Sequence, residues 1–288
     1  MKISIVVPCY NEELVLQRFL DLVKKTLLDM KVDFEIIFVN DGSKDQTHKI
    51  LQNLSNHSQE VRYISFSKNF GKEAAMLAGL TYSSGTHIVL MDADLQHPPS
   101  LIPQMLELSE QGFDQVIAKR NRIGESLPRS LISNMYYKLI NRLVDVELVS
   151  GVGDFRMMSR KAVNAILSLQ EYNRFSKGLF SWIGFSEHVI EYDNVIRDEG
   201  DSKWSFRKLL NYGIDGVISF NDKPLRIAIY LGLFVTFVDL LYVFYMLIQI
   251  IGYGIEVPGY FTTISAILLI GGIQLFFMGI IGEYIGRI

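Results

Sequence analysis

Two long apolar stretches near the end of the chain constrain what it can fold into more than any other feature. The first is "AIYLGLFVTFVDLLYVFYMLIQII", residues 228–251, and the second is "FTTISAILLIGGIQLFFMGIIG", residues 261–282. From residue 228 to 288 the only formally charged side chains are Asp239, Glu256, Glu283 and Arg287. A helix needs about 20 consecutive apolar residues to cross a hydrocarbon core, and each stretch is long enough. The alternative, a buried helical hairpin of a soluble protein, is disfavoured because core helices rarely run so long without a polar face. Between the two lies "GYGIEVPGY", a glycine-rich turn with Pro258. Arg197, Lys203, Arg207, Lys208, Lys223 and Arg226 precede the first stretch, Arg287 follows the second, and the turn has no Lys or Arg. The positive-inside tendency then places both ends on the cytoplasmic side. The sequons at Asn53 and Asn56 become chance matches. Asp239 should face another helix rather than lipid, which favours helix–helix association.

The preceding residues have a different character. The 288-residue chain has a formal net charge of −3, which does not suggest a nucleic-acid binder. A single cysteine, Cys9, rules out an internal disulfide framework and fits a reducing compartment. Met1 leads almost directly into "ISIVVP", so no cleavable signal peptide is expected. Strand patterns at 2–8, 34–40, 61–67, 87–92 and 114–120 alternate with helical periodicity. This argues for an α/β fold, a mainly parallel sheet covered by helices on both faces. Three regions are expected: a catalytic domain over 1–200, a juxtamembrane interfacial helix over 201–227, and a transmembrane hairpin over 228–288. In the middle region Phe206, Leu209, Leu210, Val217 and Phe220 share one helical face. Residues 131–144 could form a second such helix.

Ligands of parallel sheets bind at the carboxyl ends of the strands. Those ends carry "PCYNEE", "NDGS", "SKNFGKE" and "DADLQ". Neither the G-x-G-x-x-G fingerprint nor the G-x-x-x-x-G-K-[ST] phosphate loop is present, so a bound diphosphate needs another counter-charge. "VLMDADLQHPP" offers one. If 92–96 stays extended, Asp92, Asp94 and Gln96 point the same way, and three oxygen donors suit Mg²⁺ or Mn²⁺. Two loop acids capping the next helix are the plainer reading, but their place at a strand end favours the metal.

"IVVPCYNEE", "VNDGSKDQT", "NFGKEAAMLAGL", "MDADLQHPP", "GDFRMMSR" and "RDEGDSKW" occur in that order. Together they resemble the family 2 glycosyltransferases of GT-A, Rossmann-like fold that glycosylate polyprenyl phosphate. The bactoprenol branch is the nearer one, with dolichyl-phosphate mannose synthases also similar. The resemblance implies that Asp92, Asp94 and Gln96 hold the metal on the donor diphosphate. It implies that Pro8, Tyr10, Glu12 and Asp41 line the nucleotide pocket, with Asp41 beside the base. Asp41 could also be a helix N-cap. Lys72 and Arg120 are candidate contacts to the nucleotide sugar, although each could be a solvated charge. Arg129, Arg197 and Lys203 are candidates for the acceptor lipid phosphate. Asp94 and Asp154 are the candidate catalytic residues, Asp154 as base or orienting group. Without the resemblance, a structural pair between Asp154 and Arg156 is nearly as good a reading.

The implied reaction moves a hexose, glucose by analogy, from a UDP-linked donor to polyprenyl (undecaprenyl) phosphate with inversion. UDP-GlcNAc and GDP-mannose are alternative donors. The acceptor phosphate is already anionic at neutral pH, its second pKa being about 6, so a strong base is less necessary. The protein is expected in the bacterial plasma membrane as a homo-oligomer, a tetramer by resemblance, with its catalytic domain cytoplasmic. A processive synthase would need more spans and Q-x-x-R-W, where this chain has "QEYNRF". A soluble sugar nucleotidyltransferase has no use for the spans. A non-catalytic membrane-anchored nucleotide-sugar sensor is the rival of another class.

Overall fold

The computed structural model describes residues 1–121, 152–169, 174–193, part of 230–252, and 259–285. Seven strands form one sheet in the order β3-β2-β1-β4-β6-β5-β7. They are β1 (Lys2–Cys9), β2 (Asp33–Asn40), β3 (Val61–Ser65), β4 (His87–Leu90), β5 (Gln115–Arg120), β6 (Val152–Ser159) and β7 (Glu187–Tyr192). All neighbours pair in parallel except β6, which runs antiparallel to both β4 and β5. The mainly parallel expectation holds. "GDFRMMSR", read only as a motif in the sequence, is most of that one reversed strand.

Alternation along β1 explains the two layers, because successive side chains of a strand point to opposite faces. Ile3, Ile5 and Val7 are buried against α1 (Leu16–Asp29), α2 (Thr47–His57) and α4 (Ile102–Glu110). Val6 packs on the other face with α3 (Lys72–Tyr82), α5 (Arg160–Ser168) and Phe180 of α6 (Ser176–Trp182). On the first face α1 contributes Leu16, Phe19, Leu20, Val23 and Leu27, the stripe expected of an amphipathic helix. On the second face α3 lies close to the sheet because position 79 is glycine. A Cβ there would stand 2.2 Å from Val6 Cγ1. That close approach carries the start of α3 to the carboxyl ends of the strands.

The opposite edge of the sheet is closed by a polar clamp. Ser4 Oγ (2.7 Å), Ser84 N (2.7 Å) and Ser84 Oγ (2.8 Å) all donate to Glu35 Oε1. Lys2 Nζ (3.1 Å) and Arg62 (3.3 Å) pair with Glu35 Oε2. Burial pushes this carboxyl up, but the hydrogen bonds from Ser4, Ser84 and Lys2 prevail and hold it at about 2. The clamp ties β1, β2, β3 and the turn before β4 together on the side away from the ligand loops.

At the far end of the chain α7 runs from Tyr260 to Ile285, 26 residues. Its backbone covers the second apolar stretch. Among the described residues, no helix is long and apolar enough to cross a membrane. Large apolar side chains are nonetheless exposed here, including Phe234, Phe244, Ile267, Phe276 and Met278. The juxtamembrane helix expected over 201–227 and the segment 131–144 lie outside the described residues.

Candidate active site

The carboxyl ends of β1, β2 and β4 and the amino end of the reversed β6 converge on one cluster of charges. Met91 still donates to Val6 O (3.1 Å), but the chain then leaves the sheet. It does not stay extended over 92–96. Leu95 has φ +61° and Gln96 N donates to Asp94 Oδ1 at 3.1 Å, so the segment bends on itself. The expectation that alternation alone puts Asp92, Asp94 and Gln96 on one face is therefore corrected. A local side chain-to-backbone hydrogen bond outcompetes the strand. The bend is anchored by His97, whose Nδ1 accepts the Asp92 N–H at 3.0 Å and whose ring stacks on Phe155 at 4.9 Å. Burial lowers the pKa of this histidine. The neutral ring that accepts at Nδ1 must carry its proton on Nε2.

The positive charge on the aspartates is a lysine. Lys72 Nζ, from the first turn of α3, lies 2.6 Å from Asp92 Oδ1 and 2.6 Å from Asp154 Oδ2. Burial disfavours its charge, but the Asp154 and Asp92 carboxylates prevail and raise its pKa. Asp154 is itself held far below the usual carboxylate range. Burial opposes this, and the charges of Lys72, Lys177 and Arg156 overcome it. Lys72 is thus not merely solvated: it forms a 2.6 Å ion pair with Asp154, on which Arg156 acts as a further charge. Arg156 also stacks its guanidinium over Phe180 (3.7 Å) and donates to Gly153 O (3.2 Å).

The donor-side loops are stapled to one another. Asn11, at φ +53°, donates its N–H to Ser43 Oγ (3.0 Å) and accepts from Lys44 N (2.9 Å). Glu12 N donates to Thr47 Oγ1 at 2.9 Å, so "PCYNEE" and "NDGSKDQT" form one surface. Pro8 is within β1, and Tyr10 and Glu12 follow its end. Asp41 does not cap α2, which begins at Thr47 after Gln46. It reaches the loop before α3 instead, accepting from Phe70 N (2.7 Å) and Gly71 N (2.9 Å). Desolvation raises its pKa against these two bonds. Gly42, at φ +64°, allows the two loops to touch: a Cβ there would fall 2.3 Å from the Lys68 carbonyl carbon. No residue with a side chain fits that contact.

Arg120 ends β5 and acts on Tyr192 at the end of β7. Burial pushes the Tyr192 phenol up to about 12; Arg120 opposes this, while Asp94 and Asp92 add to it. Tyr192 therefore belongs to the same charged neighbourhood. The acceptor candidates Arg129, Arg197 and Lys203 lie outside the described residues. Sequence reasoning missed His97, Tyr192 and Glu73. Glu73 directly follows Lys72 in "NFGKE" and accepts from Ser176 N (3.1 Å) and Ser176 Oγ. Its place in the ligand-side motif was the available signal.

As for a metal, the donor chemistry fits: Asp92 and Asp94 offer carboxylate oxygens and Gln96 an amide oxygen, which suits a hard divalent cation. Among the described residues no group of three His, Cys, Asp or Glu could hold one. Mg²⁺ is usually held by one or two carboxylates together with substrate phosphate.

Comparison with known proteins places the chain in a family. Residues 4–167 match the family model for Glycosyl transferase family 2, and residues 223–288 match that for the GtrB C-terminal hairpin. The putative glycosyltransferase CsbB of Bacillus subtilis is 54% identical, covering 99% of this chain and 87% of that one. A bactoprenol glucosyl transferase of Shigella phage SfV is 41% identical, covering 100% of this chain and 94% of that one. Among solved structures, glucosyl-3-phosphoglycerate synthase from Mycobacterium tuberculosis, in complex with Mn2+, uridine-diphosphate and phosphoglyceric acid, superposes with a TM-score of 0.54. It is 19% identical and covers 75% of this chain and 76% of that one, a likeness of fold. The chain belongs to glycosyl transferase family 2 and is a glycosyltransferase.

Proposed function

We propose that this protein transfers glucose from UDP-glucose to polyprenyl phosphate, with inversion, at the cytoplasmic face of the bacterial plasma membrane. The observation that carries this reading is the 41% identity to a bactoprenol glucosyl transferase over the full length of the chain. The hairpin match over 223–288 and the exposed apolar side chains of α7 support anchoring in a bilayer. On this reading residues 1–200 are the catalytic domain, 201–227 an interfacial helix, and 228–288 a membrane hairpin that assembles with other copies.

Asp92, Asp94 and Gln96 would hold Mg²⁺ or Mn²⁺, which supplies Lewis-acid stabilisation of the leaving diphosphate. The surface made by "PCYNEE" and "NDGSKDQT" would bind the nucleotide, with Pro8, Tyr10 and Glu12 lining it. Asp41 would act there by shaping the loop before α3, since both its oxygens already accept backbone N–H groups. Lys72 and Arg120 would meet the phosphates. The depressed pKa of Asp154 makes it a poor proton acceptor, which supports an orienting role. The nucleophile is a phosphate oxygen that arrives ionised, so no side chain has to deprotonate it. Arg129, Arg197 and Lys203 would draw that phosphate to the site, because guanidinium groups grip phosphate through paired hydrogen bonds.

The test is incubation of purified protein in detergent with polyprenyl phosphate, Mg²⁺ or Mn²⁺, and a panel of labelled UDP- and GDP-sugars. Label should enter the lipid phase from UDP-glucose alone, and Asp94→Ala or EDTA should abolish it. Transfer from another donor corrects the sugar. Metal-dependent binding without transfer from any donor overturns the reading in favour of a sensor.

A further inference from the structure

Glu73 is an acid that the reaction as described does not use. It occupies the first turn of α3, next to Lys72, and its neighbour across the gap is α6. Both Ser176 N (3.1 Å) and Ser176 Oγ donate to the same oxygen, Glu73 Oε2. Ser176 is the first residue of α6, and the next residue, Lys177, is one of the charges that act on Asp154. A carboxylate placed beside Asp154 and partly removed from water carries an electrostatic cost, which shows in its pKa, pushed up to about 7 by burial and then by Asp154. A residue that costs free energy in the fold and sits at a reactive cluster is a candidate for function.

We propose that Glu73 is a positioning residue, a latch that fixes the start of α6 against the start of α3 and so keeps Lys177, Lys72 and Asp154 in one charge cluster. The inference rests on the transfer reaction proposed above. It concerns how the cluster is held, not which sugar is moved. Because both donors converge on one oxygen, a neutral amide oxygen accepts them equally well. Glu73→Gln should therefore keep the latch, and Glu73→Ala should break it.

The experiment compares wild type, Glu73→Ala, Glu73→Gln and Ser176→Ala as full-length protein in detergent. Turnover is measured with polyprenyl phosphate and UDP-glucose, and backbone exchange is followed over residues 176–182. Glu73→Ala should lower kcat by roughly 10–100-fold with the donor KM within about 3-fold, since small misplacements of reacting groups have effects of that size. Ser176→Ala keeps the backbone donor and should lose only about 3–10-fold, and Glu73→Gln should stay within about 3-fold of wild type. The Glu73→Ala, Ser176→Ala double variant should be no slower than Glu73→Ala alone, as expected for partners in one interaction. Exchange at Ser176 should speed up in Glu73→Ala and be restored in Glu73→Gln. Wild-type kcat in Glu73→Ala, or unchanged exchange at Ser176, overturns the latch. If wild type itself transfers no sugar, the functional reading falls, and the exchange comparison decides the latch by itself.

Discussion

At the amino edge of the sheet Glu35 is surrounded by donors, with Ser4 and Ser84 on one oxygen and Lys2 and Arg62 on the other. At the carboxyl edge Asp92 and Asp154 share the single ammonium of Lys72, and Glu73 stands next to it with a raised pKa. A carboxylate is thus fully satisfied at one end, whereas at the other Asp154 is held ionised by neighbouring cations while Glu73 is left under-compensated. Buried carboxylates cost free energy unless fully hydrogen-bonded or paired. The Glu35 cluster meets that condition and locks four segments together. The Lys72 cluster meets it only in part and keeps charge concentrated where a phosphorylated ligand would arrive. The difference separates a clamp on the side away from the ligand loops from a cluster of charges placed among them.

That contrast breaks if substitutions at the two ends have the same effect. Lys72→Met should leave the fold in place and reduce transfer on the order of 10²–10³-fold, the scale seen when one preorganised electrostatic contact is removed. Steady-state kinetics against a melting curve would check it, and a large fall in melting temperature with normal turnover would reverse the assignment. Glu35→Ala should do the opposite. It leaves Ser4 and Ser84 without their acceptor, and unfolding should become easier by roughly 2–3 kcal/mol, the lower side of the range because Lys2 and Arg62 reach water. Urea denaturation would measure the loss, and transfer per folded molecule should stay within about 2-fold of wild type.

Gly79→Ala sharpens the comparison between the faces of the sheet. The added methyl meets the buried Val6 side chain, and stability should fall by about 1–2 kcal/mol through overpacking. The smallest effect is in the pH dependence. Folded Glu73 keeps its proton to about pH 7 against an ordinary value of 4.5, so the native state loses stability as pH rises through that window. Glu35 runs the other way. Its contribution is present above pH 4.5 and is lost as pH falls toward 2. Glu73→Gln should flatten the alkaline limb by about 1 kcal/mol between pH 5 and 8, leaving the acid limb to Glu35. Denaturation series at fixed temperature across that range would separate the two.

Much of the fold was legible in the sequence, because the patterns are local. The strands β1 to β5 follow from apolar runs ended by Asn, Asp and Gly, and α1 from its 3.6-residue stripe. β6 and β7 were not legible as sheet members. Which strand pairs with which, and that β6 runs in reverse, depends on contacts between residues such as Leu90 and Arg156, far apart in the chain. The site divides in the same way. Asp92, Asp94, Asp154 and Lys72 could be singled out from motifs at strand ends. Their partners could not, since a bend at Leu95 and a reversed strand decide them.

Sequence alone determined the alternating α/β order, the ligand edge of the sheet, the apolar C-terminal pair of stretches and the identity of the acids. Each of these rests on residue type and near-neighbour spacing. Tertiary structure alone decided that Asp41 holds the loop before α3, that His97 anchors the bend, and that Lys72 bridges Asp92 and Asp154. It also decided that Glu73 reaches Ser176, 103 positions away. The physical reason is common to all four. A charge or hydrogen-bonding group is satisfied by whatever lies within about 3 Å of it, and only the folded chain sets that distance.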